Sequence, residues 1–348
     1  MEIKLENGRI IGGESRCFII AEGCDNHMGN LSTAKEMALQ AKLAGADAIK
    51  FQHHLPDEEM LRDAPMSANF SEPLYEFLTK HALTLDQHCD LKQYCRKLEI
   101  MYMCTPFSYK AAEEIVGIGL DLIKIGSGEM TDIPCLVKMA TKLKKPMIVS
   151  TGMATFEEID ETYRALTATG IPLALTNCVS EYPPIWEDIN LGVISLMKQR
   201  YPAAVVGHSD HTPDIYTCFA ALTLGAKIIE KHVILDKRQP GPDQSVSIDF
   251  RELAQLVDGI RKIEAAMGER KAVHSREKDV RRWAFRSIVA LRPIHPGETI
   301  TQDMVWSKRP GTGIPSKHMA HVIGRNAIRP IAANTLISWA DLDGMSLA

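Results

Sequence analysis

The chain has 348 residues, of which 45% are hydrophobic and 24% charged, with a formal net charge of −4. That balance excludes the basic footprint of a nucleic-acid binder, although a local group of lysines can still hold a small anion. No apolar run reaches the roughly 18 residues that suggest a spanning helix, so no membrane contact is expected.

The N-terminal Met1-Glu2-Ile3-Lys4 lacks the charged-then-apolar pattern of a signal peptide. The eight cysteines, at 17, 24, 89, 95, 104, 135, 178 and 218, contain no CxxC pair and read as reduced, mostly buried thiols. A cytoplasmic location is the simplest expectation. In chain order, short apolar runs alternate with stretches of helical period. The first strand is Cys17 to Ala21, followed by a helix from Thr33 to Leu43. Strands at Gly45–Phe51, Ile100–Cys104, Asp121–Ile125, Pro146–Ser150, Pro172–Leu175, Ala204–Gly207 and Lys227–Glu230 complete a set of eight. Helical stretches such as Ala111–Val116, Glu157–Thr167 and Tyr216–Leu224 separate them.

Continuous apolar strands joined by helices imply a parallel sheet covered on its faces. Eight such units predict an α/β fold, a closed (β/α)8 TIM barrel, which takes roughly 250 residues. The helix Phe250–Met267 finishes the barrel, assigned to residues 1–270. The charged stretch 271–284 reads as a linker. From Ser287 a new pattern of short segments, broken by Pro293, Pro296-Gly297, Pro310-Gly311, Gly313, Pro315 and Pro330, predicts a compact β-rich module over 285–348.

In such a barrel the C-terminal strand ends form the active site. They carry Glu22 and then Asp25-Asn26-His27; Lys50-Phe51-Gln52-His53; Thr105-Pro106-Phe107-Ser108; Lys124 and Gly126-Ser127-Gly128-Glu129. The later ends carry Ser150-Thr151-Gly152; Asn177, Ser180 and Tyr182; His208-Ser209-Asp210-His211; and Glu230-Lys231-His232. Two lysines with several hydroxyls and glycine-exposed amides make an anion site. Any single Lys or Ser there is more often a solvated loop residue, but one cluster per strand end is a pattern.

His211 and His232 fall in the loops of neighbouring strands, about 4.8 Å apart, and can share one divalent metal with open positions. His53 and His54 are sequential and face opposite sides of a strand, which argues against a shared ion. Cys24, Cys104 and Cys178 lie near strand ends, but no His and carboxylate at a recognisable spacing marks a nucleophile. Gly117-x-Gly119 precedes a strand and is no dinucleotide fingerprint.

Read together, these strings resemble the sialic acid synthase family, which includes N-acetylneuraminate, legionaminate and pseudaminate synthases and a spore-coat polysaccharide relative. The similar strings are Glu22…Asn26-His27-x-Gly29, Gly45-Ala46-Asp47-Ala48-Ile49-Lys50-x-Gln52, Thr105-Pro106-Phe107-Ser108 and Lys124-Ile125-Gly126-Ser127-Gly128-Glu129. They continue in Ser150-Thr151-Gly152-Met153, Tyr182-Pro183, Gly207-x-Ser209-Asp210-His211-Thr212, Glu230-Lys231-His232 and Pro240-Gly241-Pro242-Asp243. Lys308-Arg309-Pro310-Gly311-x-Gly313 is similar to that family's C-terminal antifreeze-like (SAF, β-clip) domain.

The resemblance implies condensation of phosphoenolpyruvate with an open-chain 2-acylaminohexose, giving a nine-carbon 2-keto acid and phosphate. It implies Mn2+ or Mg2+ on His211 and His232. It implies that Lys50, Thr105, Lys124, Ser127, Ser150, Ser180 and Ser209 hold the phosphate and carboxylate, with Glu22 beside the cationic centre. Gln52, Tyr182 and Asp243 become candidates for sugar hydroxyls. Arg309 is similar to the arginine that reaches the acylamino group from the partner subunit, implying a domain-swapped homodimer.

Two departures bear on the sugar. The family often has Glu-Ile-Gly-Ile-Asn-His where this chain has Glu22-Gly23-Cys24-Asp25-Asn26-His27, and Ser180 stands where some members have Asn. Other readings stay open: a barrel aldolase with Lys124 as Schiff-base nucleophile, a synthase for a phosphorylated aldose, or a non-catalytic carbohydrate- or ice-binding protein.

Overall fold

The computed structural model describes residues 1–65 and 72–344. The last four residues of the expected C-terminal module, 345–348, lie outside the described residues. The chain divides into two compact units, Met1–Gly268 and Glu269–Ala348.

In the first unit a short antiparallel hairpin, β1 (Glu2–Lys4) and β2 (Ile10–Gly12), precedes the barrel. The barrel strands are β3 (Phe18–Glu22), β4 (Ala48–His53), β5 (Met101–Pro106), β6 (Ile123–Ile125), β7 (Met147–Ser150), β8 (Leu173–Cys178), β9 (Ala204–Asp210) and β10 (Ile228–His232). They form one parallel sheet in the order β5-β4-β3-β10-β9-β8-β7-β6, with β5 and β6 lying against each other where the ring meets. This is the expected TIM barrel, each strand but the last leading through helix to the next.

Alternation along the strands sorts the core. Cys17, Ile19, Ala21, Ile49, Phe51 and Val149 face outward and pack under the helices. Phe18, Ile20, Ala48, Met103, Leu122, Ile148, Ala174, Val205 and Ile228 face inward and fill the barrel floor. Ile3, Leu5 and Ile11 of the hairpin join that inner cluster and close the floor from below. The hairpin is too short to show in the sequence as a periodic segment.

The structure also lengthens four strands. β5, β8, β9 and β10 run on to Pro106, Cys178, Asp210 and His232, beyond the ends expected at Cys104, Leu175, Gly207 and Glu230. Polar residues there, such as Thr105, Asn177 and Ser209, stay in the ladders because their backbones pair with the neighbouring strand.

The helices start where the sequence supplies caps. Thr155 and Asp249 close capping boxes at the N-termini of Phe156–Thr167 and Phe250–Ala266.

The second unit begins at Glu269 and takes in the stretch read as a linker, which carries the short helix Lys278–Ala284. β11 (Ser287–Ala290) and β12 (Val305–Lys308) pair antiparallel. Isolated bridges such as Ile294 to Ile331 and Ala327 to Leu342 tie the remaining turns together. Ile288, Ile300, Val305, Ile314, Val322 and Ile337 form its core. Arg309 is in this unit, donating from Nε to the Ala284 carbonyl (3.1 Å) and stacking over Trp283. Among the described residues no helix is long and apolar enough to cross a membrane.

Candidate active site

The residues two positions beyond the floor face inward again and line a cavity of about 310 Å³ at the C-terminal mouth. Its walls include Glu22, Lys50, Gln52, Thr105, Lys124, Ser127, Ser150, Ser180, Tyr182, Ser209, His211 and His232. The fold therefore gathers every expected site residue of the first unit except Asp243, which is buried beside His232. Arg309 belongs to the second unit.

One half of the cavity is an ionic layer. Lys50 pairs with Glu22 and donates to Thr105 Oγ1 (2.8 Å). Lys124 donates to Ser150 Oγ (2.7 Å) and lies 3.3 Å from Glu230 Oε1. Ser209 Oγ donates to the same Glu230 oxygen at 2.9 Å, and Ser150 bonds onward to Thr176 (3.0 Å).

Burial pushes the Lys50 ammonium down to about 8, the Lys124 charge adding to the effect against Glu230. Burial opposes ionisation of Glu230, yet the Lys124 and Lys50 ammonium groups outweigh it and hold the carboxyl below its usual range. Opposite, the Gly152 amide donates to Ser127 Oγ (3.1 Å), and a side chain at Gly152 would meet that oxygen at 2.7 Å.

The other half carries the histidines. The His211 and His232 rings stand 5.1 Å apart. Nδ1 of His211 is 2.7 Å from the Val179 carbonyl, which makes Nδ1 the donor and leaves Nε2 its lone pair. Tyr182 stacks on His211 at 4.4 Å, its hydroxyl 3.4 Å from Nε2. Nδ1 of His232 is buried with no hydrogen-bond partner among the described residues. A buried ring nitrogen left so, beside a second imidazole whose Nε2 meets only the long Tyr182 contact, fits a site for a divalent ion. Burial, then the nearby His211 and Lys50, push the His232 imidazole well down from its ordinary range, which favours the neutral ring that a metal would need.

The structure also brings in groups that sequence reading named at strand ends but gave no role. Glu230 is two residues before His232 and so shares its inward face, a signal that strand alternation contained. Glu129 lines the cavity, its carboxyl pushed up to about 7 by burial. Cys178 lies 4.0 Å from His211 Nδ1, although that nitrogen already serves Val179. Burial opposes its ionisation, but His211 outweighs that and brings the thiol down to about 7. Cys24 lies beside His232 and Asp243.

The neighbouring histidines diverge as expected. His53 meets Glu114 (2.9 Å), while His54 meets Glu59 and, through Nε2, orients Gln52 (2.9 Å). His208 faces away from the cavity to Asp210 (3.0 Å), which holds Lys231.

Comparison with known proteins agrees with the fold. The NeuB family pattern matches residues 37–272 and the SAF domain pattern residues 285–343. An uncharacterized protein of Methanocaldococcus jannaschii is 37% identical over 97% of this chain and 97% of its own length. The N,N'-diacetyllegionaminic acid synthase of Legionella pneumophila is 33% identical over 95% of this chain and 96% of that relative. The crystal structure of a spore coat polysaccharide biosynthesis protein from Bacillus subtilis superposes with a TM-score of 0.68 at 31% identity, covering 99% of this chain and all of that one. The chain belongs to the NeuB family and carries a C-terminal SAF domain.

Proposed function

We propose that this chain condenses phosphoenolpyruvate with the open-chain form of a 2-acylaminohexose to give a nine-carbon, sialic-acid-type 2-keto acid and inorganic phosphate. The observation that carries this reading is the cavity in which Lys50, Lys124 and hydroxyls from five strand ends converge beside the His211–His232 pair. Relatives named as nonulosonic acid synthases support the same class of reaction.

Lys50 and Lys124, with Thr105, Ser127, Ser150, Ser180 and Ser209, bind the phosphate and carboxylate of phosphoenolpyruvate as a fixed cradle. Gln52 and Tyr182 position the sugar. His211 and His232 would hold Mn2+ or Mg2+, which would supply Lewis acidity for activating the aldehyde.

Carbon 3 of phosphoenolpyruvate forms the new bond to the aldehyde carbon, whose oxygen takes up a proton. Glu22, paired with Lys50, places negative charge beside the cationic carbon 2 left behind and takes a proton from the water that adds there. The hydroxyl now on carbon 2 then gives up its proton as the carbon–oxygen bond to phosphate breaks, the bonding pair and that proton leave with inorganic phosphate, and the ketone remains.

In this reading residues 1–270 carry the chemistry, 271–284 connect, and 285–348 bring Arg309 to the acylamino group in a domain-swapped homodimer. The reaction needs no membrane and no nucleic acid, and a cytoplasmic setting suits its soluble substrates.

Phosphate release with Mn2+ tests the proposal, N-acetylmannosamine and a 2,4-diacetamido-trideoxyhexose being compared as acceptors. Release with one of them supports it, and release with neither removes it. A Schiff-base aldolase on Lys124 would instead survive EDTA and be trapped by borohydride. The position of Lys124 between Ser150 and Glu230 favours a role as a charged anchor.

A further inference from the structure

The loop after β3 brings a thiol to His232, one of the two histidines read as the seat of the metal. Glu22 pairs with His232 across the β3–β10 register, so Cys24, two residues further on, arrives at the end of β10. The loop after β10 returns Asp243 to the same point. Cys24 Sγ, a ring nitrogen of His232 and a carboxylate oxygen of Asp243 all lie within 4.8 Å of one another, and all three residues are buried.

His232 is 5% exposed, and its Nδ1 has no hydrogen-bond partner among the described residues. Cys24 itself sits at φ 45°, in the left-handed region that favours glycine. A side chain is kept there despite the backbone preference, and it faces two other ligand atoms.

We propose that Cys24 and Asp243 join His232 as direct ligands of the divalent ion, so that a thiolate completes the site. The inference rests on reading His211 and His232 as the seat of the metal. On binding, the Cys24 S–H bond breaks, the sulfur electron pair forms the bond to the ion and the proton goes to solvent. Ligands at about 2.0–2.3 Å stand roughly 3.3–3.8 Å apart in a tetrahedron, a spacing that lies inside the 4.8 Å limit these three atoms keep.

The donor set decides which ion is preferred. Thiolate with imidazole suits Zn2+, Fe2+ or Co2+, whereas Mg2+ and Mn2+ favour sites made of oxygen. This donor set should therefore bind Zn2+ or Co2+ more tightly than the Mn2+ or Mg2+ of the reaction proposed above, which it still admits through His232 and Asp243.

The test uses the full-length protein, stripped by chelator under reducing conditions and given Co2+ alone. One cobalt per chain with a thiolate-to-cobalt charge-transfer band is expected. The band disappears in Cys24→Ser and persists in Cys104→Ser and Cys178→Ser. Zn2+ affinity in Cys24→Ser falls by more than the roughly 10–100-fold that loss of an outer hydrogen-bond partner costs.

Cobalt bound without the band, no cobalt bound, or a band unchanged in Cys24→Ser overturns the proposal. X-ray absorption of the zinc-loaded wild type needs no variant. One sulfur at about 2.3 Å supports the site, and a shell of nitrogen and oxygen alone overturns it.

Phosphate release by the same samples is read separately. A sulfur ligand without turnover keeps this site and removes the reaction. Turnover with an all-nitrogen-and-oxygen shell does the reverse.

Discussion

The floor and the mouth of the barrel are built by the same faces of the same strands. At the floor the inward residues are Ile20, Ala48, Met103, Leu122, Ile148, Ala174, Val205 and Ile228. Two residues further along each strand they are Glu22, Lys50, Thr105, Lys124, Ser150, Thr176, Gly207 and Glu230. One pleat repeat, about 6.6 Å, separates a dry packed layer from a buried ionic one.

Apolar burial stabilises the first layer. The second is costly to bury and is held only because each charge meets an opposite one, Lys50 with Glu22 and Lys124 with Glu230. Stability and chemistry thus sit in adjacent layers, and substitutions should separate them.

The largest effect is expected from His211→Ala, which should weaken metal binding and abolish phosphate release while the thermal melt still shows a folded barrel. Full turnover in metal-limited buffer would contradict the role of the pair. Lys124→Met should lower kcat/KM for phosphoenolpyruvate by about 10²–10³-fold, as loss of one fixed charge-stabilising donor does. An unchanged value would take Lys124 out of the anion cradle.

At the floor, Leu122→Ala should cost about 2–5 kcal/mol of stability and leave turnover per folded molecule nearly intact, read by denaturant melts beside assays at low temperature. A loss of turnover at unchanged stability would erase the distinction between the layers.

A smaller effect comes from pH. Lys50 is charged below about 8 and neutral above it. An anion needs the charged form, so kcat/KM for phosphoenolpyruvate should fall as pH rises through about 8; a profile flat to pH 9 would argue against Lys50 as an anchor. The smallest is Arg309→Ala, expected to raise the KM for the sugar far more than that for phosphoenolpyruvate. Equal effects on both would remove Arg309 from sugar recognition.

Much of the barrel was legible because a parallel strand buried on both faces is a short apolar run, and each run here ends in polar residues. The same pattern located Lys50, Lys124, Ser150 and Ser209. What stayed hidden depended on contacts that no local pattern encodes.

Glu230 was given no role although it shares a face with His232, because its partners Lys50 and Lys124 come from distant strands. The closeness of Cys24 to Asp243 depends on two loops folding back to one strand end, across more than two hundred residues of sequence. The hairpin under the floor is two three-residue strands, shorter than any periodicity can reveal.

The most direct measurement uses phosphoenolpyruvate labelled with heavy oxygen at the bridge between carbon 2 and phosphorus, supplied with Mn2+ and an acylaminohexose. The proposed chemistry breaks the carbon–oxygen bond, so the label should leave in inorganic phosphate, and EDTA should stop its release. Label retained in the keto acid, or no phosphate released with any acylaminohexose, would contradict the assignment of the barrel mouth.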